Sequence, residues 1–546
     1  MVLNTPGLEI ADFGGGLNLV DDEIKLPINQ TPRAQNFEIV RATGLQKVSG
    51  YSSLFGSYGD DMNTSFVDNY TDDFFKYRYI TVAYPNIFLT DPINGNQEVV
   101  IDNLHSKGDP HGAEANGGYF FVDGVNNPKY ILGQTVTEVP WPPSYTANNN
   151  AVGNLDESSL SVAANPAVTD IGIPSIAAFF ANRVFLAGDK TNPRRIYASK
   201  IGDVTNFSDN NPVDFDIAFF VDIPSTRPIT AMKVVNNKFL VVYCDTEIIL
   251  LSGQNPPGTS YPQPHFSFNT LNTEIGGLHK NLIAPKGDND HYFVGNRGRV
   301  YQLSLTDNFQ DVKPLGLSSK IFPFLSTLNN ETLKRGRLIN YQLRGELHFF
   351  VPSTNTKRYA DIDLILNYSD SVDEQGPIWS RNRELGDSFL LRGGLIDRNT
   401  NRMILVTPNR FLLTNVGTSF DGEEIKFSYQ LATLNFGDSS LKKEITRIRV
   451  FARSTNGAKI TIRHLWEDGR SGVKELKILS EPDSDFGTAE FGISNFQSGA
   501  GLPFREYTYQ PINPIGRILK MSLENESDVD DFLISAIVFD VKPLGK

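Results

Sequence analysis

The sequence predicts an all-β chain: a β-propeller of six or seven blades with long inserted loops, followed by a C-terminal β-sandwich. Three observations carry this. First, a pair of short apolar strands joined by a polar turn recurs, with units beginning near residues 120, 184, 239, 292, 347 and 404. A period of roughly 55 residues is the signature of small sheets repeated about an axis. Second, 37 Phe and 20 Tyr accompany 45 Gly, the balance expected of many strands joined by tight turns. Third, helical periodicity is almost absent.

The first 52 residues read as an extended arm joining the propeller. Gly14-Gly15-Gly16 is too costly in backbone entropy for a helix, and Pro27 and Pro32 break the stretch that follows. A first strand is expected near Ala34–Val40. Residues 53–415 form the propeller. Tyr77–Ala83 alternates and is followed by Ile87–Leu89, a hairpin expected to be an incomplete or closing blade. The six clear units are Tyr119–Val122 with Tyr130–Ile131, Val184–Leu186 with Ile196–Tyr197, and Phe239–Tyr243 with Ile248–Leu251. Then come Tyr292–Val294 with Val300–Tyr301, Leu347–Val351 with Ile362–Leu366, and Met403–Val406 with Phe411–Leu413. Residues 133–175 and 253–270 are rich in Pro, Asn and Ser and read as insertions projecting from the propeller. The one helix candidate is Ile321–Leu338, with Pro323 in its first turn.

After about residue 416 the period is lost. Ile445–Arg453, Ala458–Leu465, Val473–Leu479, Ile518–Leu523 and Phe532–Val541 alternate, separated by turns such as Asn456-Gly457 and Asp468-Gly469. Residues 416–546 are therefore expected to form a β-sandwich.

Composition narrows the function. Lys and Arg number 50 against 63 Asp and Glu, a net charge of −13, which is unfavourable for gripping nucleic acid through its phosphates. Cys244 is the sole cysteine, so no internal disulfide forms, and a small buried apolar role is expected for it. Met1–Ile10 lacks the basic and apolar regions of a secretory signal, and no apolar run is long enough for a spanning helix.

No catalytic constellation stands out. The seven histidines, His105, His111, His265, His279, His291, His348 and His464, show no metal-ligand spacing. Asp60-Asp61, Asp72-Asp73 and Asp528 with Asp530-Asp531 read as solvated carboxylates rather than a glycosidase pair. Asp91–Asn96 and Asp397–Asn401 match a calcium loop poorly and read as hairpin turns. Trp466–Arg470 does not follow the residue order of the sialidase Asp box. Arg194-Arg195, Lys334-Arg335-Gly336-Arg337 and Arg447, Arg449 and Arg453 are local basic groups, read as solvated faces or salt bridges. Catalytic, cofactor and metal residues are all expected to be none.

Some motifs do point to a family. Phe13-Gly14-Gly15-Gly16-Leu17-Asn18, Leu26-Pro27, Gln35-Asn36-Phe37, Gly44-Leu45-Gln46-Lys47 and Gly50-Tyr51 form one set. Asn182–Gly188, Asn192–Ser199 and Gly202–Phe207 form a second, and Pro228–Ala231, Lys238–Tyr243 and Glu247–Gly253 a third. Over residues 11–305 the chain resembles tail nozzle, or tail hub, proteins of short-tailed bacteriophages, also described as DNA-stabilisation or head-completion proteins. The resemblance implies a structural virion protein, not an enzyme, that forms a hexameric ring at the distal end of the tail. Its lumen would retain the genome and pass double-stranded DNA during ejection, without sequence-specific binding. The implied partners are further copies of itself, the head-to-tail adaptor or a portal-associated tail protein, and tail fibre, spike or needle proteins. Assembly would take place in the host bacterial cytoplasm. An acidic lumen is expected, because like charge keeps the duplex from adhering. The insertions are the segments available for a gate or a docking surface. The alternative is a glycan-binding or glycan-degrading propeller on the virion.

Overall fold

The computed structural model describes all residues except 1–6, 41–43, 56–63, 73–74, 106, 144–170, 209–217, 255–264, 305–314, 369–377, 385–390, 409, 481–503 and 546. Seven four-stranded antiparallel sheets follow one another along the chain. They are blade 1 (Thr64–Thr71 to Gln97–Ile101), blade 2 (His111–Ala115 to Thr135–Glu138), blade 3 (Ile176–Phe180 to Phe219–Asp222) and blade 4 (Ile229–Val235 to Ser267–Asn272). Blade 5 (Ile283–Lys286 to Leu315–Gly316) and blade 6 (Arg337–Tyr341 to Ile378–Glu384) come next, and then blade 7. Blade 7 takes Gly393–Ile396, Met403–Val406 and Phe411–Thr414 in order, and its fourth strand is Tyr51–Ser53 from the arm.

The blades are arranged in a ring. First strands of successive blades lie side by side, with the single helical turn Lys280–Leu282 standing against the first strand of blade 4. The first strand of blade 7 packs beside that of blade 1, which closes the circle. Each interface between blades holds an apolar cluster, that between blades 5 and 6 being continuous with the arm and the C-terminal sheets. Phe66, Ile80, Phe121 and Ile131 join blades 1 and 2, Phe120, Val122, Leu186 and Phe220 join 2 and 3, and Phe185, Ile196, Leu240 and Phe266 join 3 and 4. Val241, Ile248 and Phe293 join 4 and 5, Tyr292, Val294, Leu338 and Phe349 join 5 and 6, Tyr341, Phe350 and Leu405 join 6 and 7, and Ile404, Phe411 and Tyr79 join 7 and 1. A four-stranded sheet with both faces apolar is unstable alone, and the ring gives each face a neighbour.

The hairpin at Tyr77–Leu89 is therefore the centre of a complete blade, and the closing blade is the seventh. The expected insertions are shorter than the sequence implied. Thr135–Glu138 and Ser267–Asn272 are outer strands of blades 2 and 4, and their polar composition reflects outward exposure rather than a loop. Residues 144–170 of the first insertion and 255–264 of the second lie outside the described residues. The two flanks of the first are tied together by Trp141 Nε1, which donates to the carbonyl of Gly172 at 2.9 Å. The expected helix at Ile321–Leu338 is two single turns, Phe322–Leu325 and Asn330–Leu333. Asn329 starts a new turn by accepting from the Thr332 amide at 2.8 Å. At Gly336 a Cβ would stand 2.6 Å from the Phe350 carbonyl, and from Arg337 the chain is strand.

Two further sheets flank the ring. The five-stranded sheet has the order Ser471–Ile478, Ala458–Trp466, Leu519–Ser527, Ile425–Gln430, Arg33–Gln35. The seven-stranded sheet runs Arg505–Tyr509, Lys442–Arg453, Leu533–Gly545, Gly44–Lys47, Phe37–Val40, with Leu8–Ile10 also on Leu533–Gly545 and Ile515–Gly516 on Lys442–Arg453. Their alternating buried residues, among them Ile448, Val450, Ile460, Ile462, Leu523 and Phe539, share one apolar cluster. The propeller's last strand ends at Thr414 and this two-sheet unit resumes at Ile425.

The arm thus differs from expectation. Rather than only joining the propeller, it supplies four strands to the two-sheet unit before Tyr51–Ser53 closes the ring. Asn36, at φ 52°, is the switch: the strand before it pairs in one sheet and the strand after it in the other. Between these strands the arm wedges against the outer strand of blade 6. Gly16 sits at φ +65°, and a Cβ there would meet the Trp379 carbonyl at 2.8 Å; only glycine meets both demands. Trp379 is fully buried, and its Nε1 donates to Leu317 O at 2.8 Å.

Candidate functional site

The residues singled out in the sequence are mostly structural. Arg195 pairs with Asp222 at 2.8 Å and lies over Phe220, and Arg194 donates to Ser225 O. Arg447 and Arg449 share Asp540. Asp531 accepts from Ser454, Thr455 and Asn456, and Asp530 from the Lys459 amide and Asn525. Asp91 and Asp397 accept amides inside their own hairpin turns. Asp60 and Asp61 lie outside the described residues. Among the described residues no group of His, Cys, Asp and Glu is placed to hold a metal ion, and no helix is long and apolar enough to cross a membrane. Cys244 is buried, and burial pushes its thiol up to about 12.

Four histidines are buried strand residues. One of them heads a polar network that the sequence did not reveal. His348 Nδ1 lies 2.9 Å from Asp363 and its Nε2 3.2 Å from Glu346. Glu346 also pairs with Arg344, which reaches Glu38 of the arm. Burial lowers the imidazole pKa, but the two carboxylates outweigh it and raise it to about 9. The ring is closed from solvent, so it meets no substrate; the network ties blade 6 to the two-sheet unit.

One set of polar groups that converges on open space lies on the propeller axis. A cavity of about 270 Å³ is lined by first-strand residues of blades 1, 2, 4, 6 and 7, with blade 5 contributing Ile283–Pro285 and the preceding turn. Its charged lining is Asp68, Lys233, Lys280 and Arg337, with His111 beside them. Lys280 donates to Asp109 O and Ser175 O at 2.7 Å each and pairs with the Asp109 carboxylate at 2.9 Å. Burial raises the Asp109 pKa, yet Lys280 and His279 overcome it and hold the carboxyl below the usual range; with 51% of its side chain exposed, solvent screens part of this field. Asp68 accepts from Tyr119 at 2.8 Å and from the Asn69 amide. His111 Nδ1 accepts from the Ala177 amide at 3.2 Å, and burial keeps the ring well below its ordinary pKa and so neutral.

Of these residues Arg337 stands in a basic run of the sequence and His111 is one of the seven histidines without metal-ligand spacing, while Lys233, Lys280 and Asp68 carry no sequence signal. They are far apart along the chain, and only ring closure brings them together. The axis is also narrow. About 270 Å³ holds about nine waters at about 30 Å³ each, whereas the major groove of a B-form duplex is itself about 12 Å wide. The hole in one propeller is cationic and too small for DNA, so the acidic lumen expected of a conduit would have to lie between copies.

No known family model matches the chain, and no curated protein does. Similar solved structures include BamB from Moraxella catarrhalis (12% identity, 69% of this chain and 92% of that one, TM-score 0.36). Others are a chain of the mitotic checkpoint complex (7%, 67% and 94%, TM-score 0.37) and YCF48 bound to D1 peptide (11%, 68% and 97%, TM-score 0.38). At these values the likenesses carry no functional argument, and the propeller rests on the strand pairing within this chain.

Proposed function

We propose that this chain is a structural subunit of a bacteriophage tail nozzle: copies form a ring whose lumen, bounded by several subunits, holds back and then passes double-stranded DNA. The observation that carries the reading is the run of resembling motifs over residues 11–305, because those residues occupy positions that set the architecture. Phe13–Asn18 forms the wedge against Trp379. Gly50-Tyr51 leads into the closing strand. Arg183, fully buried, donates to Ser199 O at 2.6 Å and holds the turn of blade 3. The net charge of −13 agrees with a conduit that must not adhere to its cargo. Six-fold copy number, the adaptor above and the fibre, spike or needle below belong to the same reading, as does location in the virion tail.

Electron microscopy of the purified full chain, alone and mixed with the head-to-tail proteins of its phage, tests this. The expected result is a closed ring of identical subunits with a lumen wide enough for duplex DNA. A protein that stays monomeric at every concentration and joins no tail particle overturns it. Cleavage of host polysaccharide by the purified chain would overturn the non-enzymatic part in favour of a glycan-degrading propeller.

A further inference from the structure

We infer that the axial cavity of the propeller is a binding site for one small oxyanion of the phosphate or sulfate kind, held between Lys233 and Arg337. The argument is a balance of charges and donors. Lys280 and Asp109 neutralise one another, and the three acceptors around the Lys280 ammonium use its donors. That leaves Lys233 and Arg337 facing Asp68, one positive charge in excess.

Neither cation is matched. Among the described residues no carboxylate lies within ion-pair distance of Lys233 or Arg337, and Lys233 donates no hydrogen bond. Arg337 donates to Gly394 O at 3.2 Å and stands 5.8 Å from the centre of the Phe66 ring, which leaves most of its guanidinium donors unused. Asp68 is already engaged by Tyr119 and the Asn69 amide. Burial lowers the pKa of Lys233, and the neighbouring charge of Arg337 lowers it further against the pull of Asp68.

Lys233 and Arg337 are half-buried, and cations partly withdrawn from water are costly unless something neutralises them. A tetrahedral oxyanion offers several acceptors to a guanidinium fork and an ammonium together. His111 adds a donor of the right kind: with Nδ1 accepting from Ala177, the neutral ring carries its proton on Nε2. The cavity has room for such an ion with some water and too little for a polymer.

The test uses the full chain and inorganic phosphate as probe, with radiolabelled phosphate in equilibrium dialysis and thermal unfolding at constant ionic strength. One phosphate per chain is expected, with a saturable rise in Tm that chloride does not reproduce. Lys233→Met and Arg337→Met should each weaken binding at least tenfold. Lys334→Met, a surface change in the same basic run, should leave it unaltered. Should Arg337→Met fail to fold, Lys233→Met still decides, since Lys233 is half-buried and its removal breaks no ion pair or hydrogen bond among the described residues. No bound phosphate at 10 mM (about ten-thousandfold above micromolar affinity), an equal effect of chloride, or binding retained by Lys233→Met overturns the proposal. A short oligonucleotide should not displace the ion; displacement would overturn the assignment to a free oxyanion.

Discussion

The propeller and the two-sheet unit are both antiparallel β, yet they are built by opposite rules. Blades 1 to 6 are local products, each of four consecutive strands packed against its neighbours around the ring; blade 7 borrows its fourth strand from the arm, and blade 6 also meets the arm. The two-sheet unit is assembled from distant segments, with Leu8–Ile10, Arg33–Gln35, Phe37–Val40 and Gly44–Lys47 inserted among strands that lie beyond residue 424. In chain order the propeller is an insertion within the other unit. Repetition supplies modularity, while cooperativity between the two units rests on the arm.

If the arm is what couples them, its removal has the largest effect. Deleting residues 1–53 takes four strands from one unit and the closing strand from the other, and a soluble, cooperatively unfolding protein is not expected. A sharp thermal transition near the parent's Tm in calorimetry would break the comparison. Next in size is Trp379→Ala, which empties the contact between arm and blade 6. A cost of about 3–5 kcal/mol is expected, with one transition retained in urea unfolding. Two separated transitions would show that the units hold together by some other contact.

The His348 network sharpens the comparison through pH. The imidazole pKa is near 6.5 when unfolded and raised to about 9 when folded. The stabilisation it provides is therefore complete below about pH 6.5 and is lost as pH rises through about 9. Unfolding measured from pH 6 to 10 should show the parent losing on the order of 1–3 kcal/mol more than His348→Gln does. Identical slopes would remove His348 from the coupling. The smallest effect is expected at Arg463→Ala, which breaks an exposed pair with Glu524 within one sheet and should alter stability by no more than about 0.5 kcal/mol.

The middle strands of the blades are the part of the fold that can be read directly. Gly118–Val122 and Met403–Val406 are buried on both faces and so form unbroken apolar runs; Glu346–Val351 is equally buried, and its apolar run is interrupted by Glu346 and His348. The outer strands Gln97–Ile101, Thr135–Glu138 and Ser267–Asn272 are half-buried or exposed, and their mixed polar composition lacks the apolar run of the middle strands. In the arm, two- to four-residue strands carry too few positions for a period to emerge, so their partners are set by tertiary contact alone. The alternation in Ala458–Trp466, with every second residue buried, is at the other extreme. The axial cavity was hidden for a different reason. Lys233, Lys280, Arg337 and Asp68 each look like an ordinary surface residue until a closed ring places them face to face.

The shared strand order has a consequence for biosynthesis. Leu45 and Gln46 pair with Ile534 and Leu533, which leave the ribosome roughly 490 residues later; at about 5–20 residues per second, that is a delay of roughly 25 to 100 s. Throughout it, the sticky edges of the early segment have no native mate while seven sheets mature beside them. The nascent chain thus stays unfinished until its far segment emerges, a built-in delay on completion of the fold.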